Sequence, residues 1–221
     1  MGACDATMRG ETDDSALRAA LEMGKSMSIE RIQQHFQDSV ALKLEAVQTL
    51  AVPIAAAIDA MFGALANNGK VLACGNGGSA ADAQRFAAAL IHRLERERPS
   101  LGAIALTTDT SILTAIGDDE QFEEIFARQV RGLGQPGDVL LAITTSGNSA
   151  NVIAAIREAH EREMIVVALT GGGGGKINEE LYDTDIHISV PSDRTVRIQE
   201  VHLLTLHCLS DGIDAMLLGD E

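Results

Sequence analysis

At 221 residues, with a net charge of −15 and a pI near 4.7, the chain is long enough for one sizeable α/β domain. It is too acidic to hold nucleic acid nonspecifically through a basic face. Aromatic residues make up only 3% and Trp is absent, so the core must be aliphatic. The three cysteines, Cys4, Cys74 and Cys208, are widely spaced and form no Cys-x-x-Cys, which fits a reducing cytoplasm. No apolar run is expected to span a bilayer, and no signal-peptide core is expected.

Residues 1–26 read as a flexible leader ahead of a single domain over residues 27–221. Ile29, Ile32, Phe36, Val40, Leu44, Val47 and Ala51 recur every three or four positions and make one apolar helical stripe. Pro53 is expected to break or kink that helix. Ile54, Ile58, Met61, Phe62 and Leu65 resume it, and Asn67-Asn68-Gly69 end it. A stripe this long, over residues 29–67, needs a covering surface, either the domain itself or, the preferred expectation, a helical bundle between subunits. An α/β alternation follows. Strands are expected at 71–74, 101–106, 138–143, 165–169 and 186–190. Helices are expected at 80–94, 122–133, 150–163 and 194–218. A helical turn at 111–116 should be followed by a Gly117-Asp118-Asp119 loop, and a short helix at 176–181 by the last strand. Uniformly apolar strands separated by helices predict a parallel sheet covered on both faces.

Parallel sheets bind ligands at the carboxyl ends of their strands. Three informative loops follow strands, at 75–79, 107–110 and 144–149, and the first and third carry chemistry. Gly75-Asn76-Gly77-Gly78-Ser79 sits between a strand and a helix, where glycines let backbone N–H groups approach an anion and Ser79 adds a hydroxyl. Thr144-Thr145-Ser146-Gly147-Asn148-Ser149 places four hydroxyls in six residues before a helix. One N-cap needs one hydroxyl, whereas a phosphate offers several acceptors and no donors. Neither loop holds Lys or Arg, so an anion there would be held by neutral donors and helix dipoles. Cys74 reads as core, and His35, His92, His160 and His187 as surface or structural.

These two loops, with Arg98-Pro99-Ser100 and Arg197-Ile198-Gln199-Glu200, resemble the sugar isomerase (SIS) domain family over residues 29–218. The resemblance implies a flavodoxin-like three-layer fold with a five-stranded parallel sheet, preceded by long N-terminal helices, in a cytoplasmic homotetramer. It further implies that a phosphosugar is held by Asn76, Gly77, Gly78, Ser79, Asp118, Asp119, Thr144, Thr145, Ser146, Ser149 and Gln199. Two groups of the family are most similar, the DiaA-type proteins that bind the replication initiator DnaA and the phosphoheptose isomerases. The isomerases use zinc held by His, Glu, Gln and His, the Glu doubling as acid/base. Here the first pair is Arg85 and Ala89, while Gln199 and His207 match the second. Ala89 cannot move a proton, and two neutral ligands make a poor zinc site. The expectation is therefore a phosphosugar-binding regulator without metal or catalytic residues, partnered by DnaA. The alternative is a phosphoheptose isomerase, in which His207 or Glu200 would act and zinc would return. Glu200, His202 and Asp82 are the remaining candidate bases; Glu200 is expected to pair with Arg197 or Arg85.

Overall fold

In the computed structural model, residues 29–119 and 121–219 are described. The leader assigned to residues 1–26 lies outside them. The chain divides into two units, Met1–Ala41 and Leu42–Glu221, and the division falls inside the first helix.

That helix, α1 (Ile29–Ala66), is continuous through Pro53, against the expected break. In its second part Leu50, Ala57, Met61 and Ala64 all reach the core, so burial on both sides of the proline outweighs the one hydrogen bond it removes. Asn68 takes a left-handed φ of 62° and the Gly69 N–H returns to the Ala64 carbonyl, closing the helix. Then come β1 (Val71–Gly75), α2 (Gly78–Ile91), β2 (Ala103–Ala105), α3 (Thr110–Asp119), a 3-10 turn at Phe122–Glu124, α4 (Ala127–Leu133) and β3 (Val139–Ile143). The chain continues through α5 (Ala150–Glu161), β4 (Ile165–Gly171), a glycine-rich 3-10 segment at Gly172–Glu179, β5 (Ile186–Val190) and α6 (Thr195–Leu218).

Three expectations are corrected here. The second strand is three residues long, because the edge position leaves Ile104 partly exposed and pairs the strand on one side only. Gly117, Asp118 and Asp119 continue α3 as helix and do not form a loop. Two helices, Ile29–Ala66 and Thr195–Leu218, are long and apolar enough to cross a membrane by length and composition. In this fold α6 spends its apolar face on the core, through Ile198, Val201, Leu206, Leu209 and Ile213.

The sheet is parallel throughout, in the order β2-β1-β3-β4-β5. Of the three inner strands, β1 and β3 are buried along their whole length and β4 at all but its first residue, as strands covered on both faces must be. Alternate residues feed two cores. Val71, Ala73, Leu141 and Ile143 pack with α1, α2 and α6. Leu72, Cys74, Leu140 and Ala142 pack with α4 and α5. The result is the expected flavodoxin-like three-layer sandwich. Cys74 is core, as expected, and burial pushes its thiol up to about 12.

Candidate functional site

In the order 2-1-3-4-5 the chain leaves β1 to one side and β3 to the other. A crevice therefore opens beyond the carboxyl ends of this neighbouring pair, which run in register at Gly75 and Ile143. The two loops singled out in the sequence both end there. Helix α2 begins at Gly78 and α5 at Ala150, and neither Gly77 nor Ser149 caps its helix with a side chain. Both helix N-termini thus present backbone N–H groups and the positive ends of their dipoles at the same edge of the sheet.

The hydroxyl-rich loop is tightly organised. The Thr144 and Ser149 hydroxyls are 2.9 Å apart, the Asn148 N–H donates to Ser146 Oγ, and Thr144 is anchored through its N–H to the Leu169 carbonyl. Thr145 and Ser149 are half-buried and Ser146 is exposed. The glycine segment after β4 backs this loop. The Lys176 N–H donates to Asn148 Oδ1, and the Ile177 N–H donates to the Gly147 carbonyl.

Across the crevice, Gly77 and Gly78 are exposed while Ser79 is buried in the first turn of α2. The side chain of Asn76 reaches over to Asn151 of α5, and the two amides exchange hydrogen bonds of 2.8 and 2.9 Å. Gln199 of α6 lies against the bare face of Gly78, where a Cβ would meet its Nε2 at 2.7 Å. A cavity of about 200 Å³ beside the glycine loop is lined by Asn76, Gly77, Thr107, Leu113, Phe122 and Phe126, among others. Asp118 and Asp119 are exposed at the end of α3.

The metal-site positions tell a different story. Arg85 is exposed and Ala89 half-buried on α2. His207 lines a separate cavity with Leu94, Glu95, Cys208 and Asp211, away from the Gly78 contact of Gln199. Among the described residues no three His, Cys, Asp or Glu side chains are grouped to hold a metal ion. Of the four matched positions Arg85 and Ala89 offer zinc no suitable donor atom, which leaves Gln199 and His207, one short of the three protein ligands a catalytic zinc takes.

The candidate bases sort by their contacts. Glu200 pairs with Arg197 at 2.7 and 2.8 Å, the expected partner. His202 is fully buried, and its Nε2 donates to the Thr170 carbonyl at 2.9 Å. Burial lowers its pKa to about 4, so it is neutral in the fold. Asp82, one turn into α2, is buried, and burial pushes its carboxyl upward against the pull of Arg85.

The His202 environment has a pH consequence. Unfolded, the imidazole takes a proton below its ordinary value of 6.5; folded, it resists until about 4. The unfolded state thus binds more protons in that window, and stability falls as pH drops through it. Urea unfolding should show a loss of about 2 kcal/mol between pH 7 and pH 5. His202→Leu should flatten the slope. An unchanged slope in that variant would place the titration elsewhere.

An all-parallel sheet with two helix N-termini meeting at its switch point defines a doubly wound α/β domain, and the SIS domain matches residues 35–171. The chain is 67% identical over 193 residues to the phosphoheptose isomerase of Azoarcus sp. (strain BH72), covering 87% of this chain and 98% of that one. It is 64% identical over 193 residues to the phosphoheptose isomerase of Dechloromonas aromatica (strain RCB), with the same coverage. The structure of phosphoheptose isomerase from Neisseria gonorrhoeae superimposes with a TM-score of 0.80 at 54% identity, over 84% of this chain and 98% of that one. That from Francisella tularensis gives 0.82 at 48% identity, over 85% and 98%. The chain belongs to the SIS-domain family and, within it, to the phosphoheptose isomerase family.

Sequence reasoning found both loops and missed Asn151. An asparagine in the first turn of a helix carries no signal that its amide will close on a residue 75 positions earlier.

Proposed function

We infer that this chain is a sugar-phosphate isomerase of the phosphoheptose class. It would bind sedoheptulose 7-phosphate in the β1/β3 crevice and interconvert it with D-glycero-D-manno-heptose 7-phosphate. The preference for a non-catalytic reading, drawn from the sequence, gives way to this one. The carrying observation is 67% identity to a phosphoheptose isomerase, over a span that includes both crevice loops. The phosphate would lie on the N–H groups of α2 and α5 with Ser146 and Ser149, and the sugar would extend toward Gln199.

An aldose–ketose shift moves a proton between adjacent carbons, and Ala89 supplies no base. Asp82, one turn into α2 from the glycine loop and buried there, is the carboxyl closest in sequence to that loop and is the base proposed here; burial pushes its carboxyl upward. No resident metal enters this reading. The enzyme would be cytoplasmic and assemble as a homotetramer. The exposed Leu44, Val47 and Val52 of α1 and Leu204 of α6 support that assembly, flanking or lining an apolar groove of about 300 Å³.

Arg85 and Ala89 favour a second function, in which the phosphosugar is bound without turnover and the tetramer acts on a protein partner, the replication initiator DnaA. One assay separates the two. Purified tetramer is incubated with sedoheptulose 7-phosphate, with and without added zinc. Turnover of about 1 s⁻¹ or more, independent of zinc and lost in Asp82→Asn, is expected of the isomerase. Sugar binding without turnover, together with capture of purified DnaA, would establish the regulator instead.

A further inference from the structure

The amide pair Asn76–Asn151 joins the two walls of the crevice. Asn76 follows β1 in the glycine loop, and Asn151 stands in the first turn of α5, three per cent exposed. Asn76 Nδ2 donates to Asn151 Oδ1 at 2.8 Å, and Asn151 Nδ2 donates to Asn76 Oδ1 at 2.9 Å. Two planar amides closing such a ring hold both side chains in one orientation, and each amide still has one N–H and one lone pair left. The Asn76 carbonyl accepts the Ser79 N–H at 3.0 Å, so the ring is tied into the start of α2 as well. On the other side, Ser149 accepts from the N–H groups of Val152 and Ile153, which flank the clasp in α5.

We propose that Asn151 is a positioning residue for phosphosugar binding, acting through Asn76 to fix the distance between the N-termini of α2 and α5. The proposal rests on the phosphosugar reading of the crevice and adds to it a division of labour. Asn76 faces the ligand with its backbone and its one remaining N–H, because its other N–H is engaged with Asn151. An anion that bridges two helix N-termini gains from both only if their separation is held while the site is empty. Without the clasp, each binding event must reorder the glycine loop.

Calorimetric titration of the full chain with sedoheptulose 7-phosphate tests this on Asn76→Ala, Asn151→Leu and the double variant, with thermal unfolding recorded for each. Loss of two neutral hydrogen bonds from a preorganised site predicts a Kd raised roughly tenfold or more in each single variant. The double variant should be no weaker than the weaker single one, because both remove the same clasp. A merely structural role would lower the unfolding temperature while leaving the Kd in place. Should Asn151→Leu not fold, Asn76→Ala and Asn151→Asp report on the same ring. The Asp variant keeps one acceptor, loses the donated bond and sets a negative charge by the anion, so it too must weaken binding. Wild-type affinity in Asn151→Leu or Asn151→Asp, or effects that multiply in the double variant, would overturn the proposal. Absence of sugar binding to the unaltered chain would overturn the phosphosugar reading along with it.

Discussion

Arg98→Met will unfold at much lower urea than the unaltered chain. The Arg98 side chain is fully buried and so is that of Asp214, with which its Nε forms an ion pair. Its Nη1 donates to the Leu90 carbonyl and its Nη2 to the Ala89 carbonyl, both at 2.7 Å. One guanidinium thus satisfies the open end of α2 and neutralises a carboxylate on α6, a task that Lys, with its single ammonium, cannot duplicate. Removing it leaves a buried, uncompensated charge, which costs roughly 3–5 kcal/mol. For a domain of this size that corresponds to a fall of roughly 10 °C or more in Tm. Arg98→Met combined with Asp214→Leu should recover most of the loss, because an apolar pair in place of a buried ion pair is near neutral. A single variant within about 0.5 kcal/mol of the parent would show that the pair is not buried as described.

The second large effect is expected at Gly147. Its φ of +65° lies in the left-handed region, and a Cβ there would sit 1.8 Å from the Gly174 carbonyl oxygen and 2.4 Å from its carbon. Both atoms are backbone, so no rotamer change relieves the clash. Gly147→Ala must push the hydroxyl-rich loop off the glycine segment, breaking the bonds that Ile177 and Lys176 make to it. Thr144, Ser146 and Ser149 would lose their common orientation, and affinity for sedoheptulose 7-phosphate should fall about 100-fold, or roughly 2.7 kcal/mol. Gly63→Ala meets nothing within 4 Å and is the matched control, with binding unchanged. Equal affinity in both variants would mean that the loop does not hold the ligand.

The sheet was legible because its inner strands are apolar along their length, as 71–74 and 139–143 are, and because glycine or hydroxyl clusters punctuate them. Both crevice loops were legible for the same reason. Other features depend on contacts distant in sequence. Nothing local to Pro53 says that Leu50 and Met61 will be buried on either side of it and hold the helix together. Nothing near Asp118 says that α3 continues through it. Gln199 and His207 match one ligand pair by position, yet the fold sets Gln199 on Gly78 and turns His207 toward Glu95 and Asp211. Arg98 stood out only as part of a resemblance, and its role needs Asp214, 116 residues later, to be seen. The clasp between Asn76 and Asn151 is of the same kind.

The β1/β3 crevice as a phosphosugar site is tested most directly by calorimetric titration of the full chain with sedoheptulose 7-phosphate, alongside Gly147→Ala. The expected result is saturable binding at one site per chain, displaced by inorganic phosphate and lost in the variant. No saturable heat at millimolar sugar phosphate, or the same isotherm for Gly147→Ala, would contradict it.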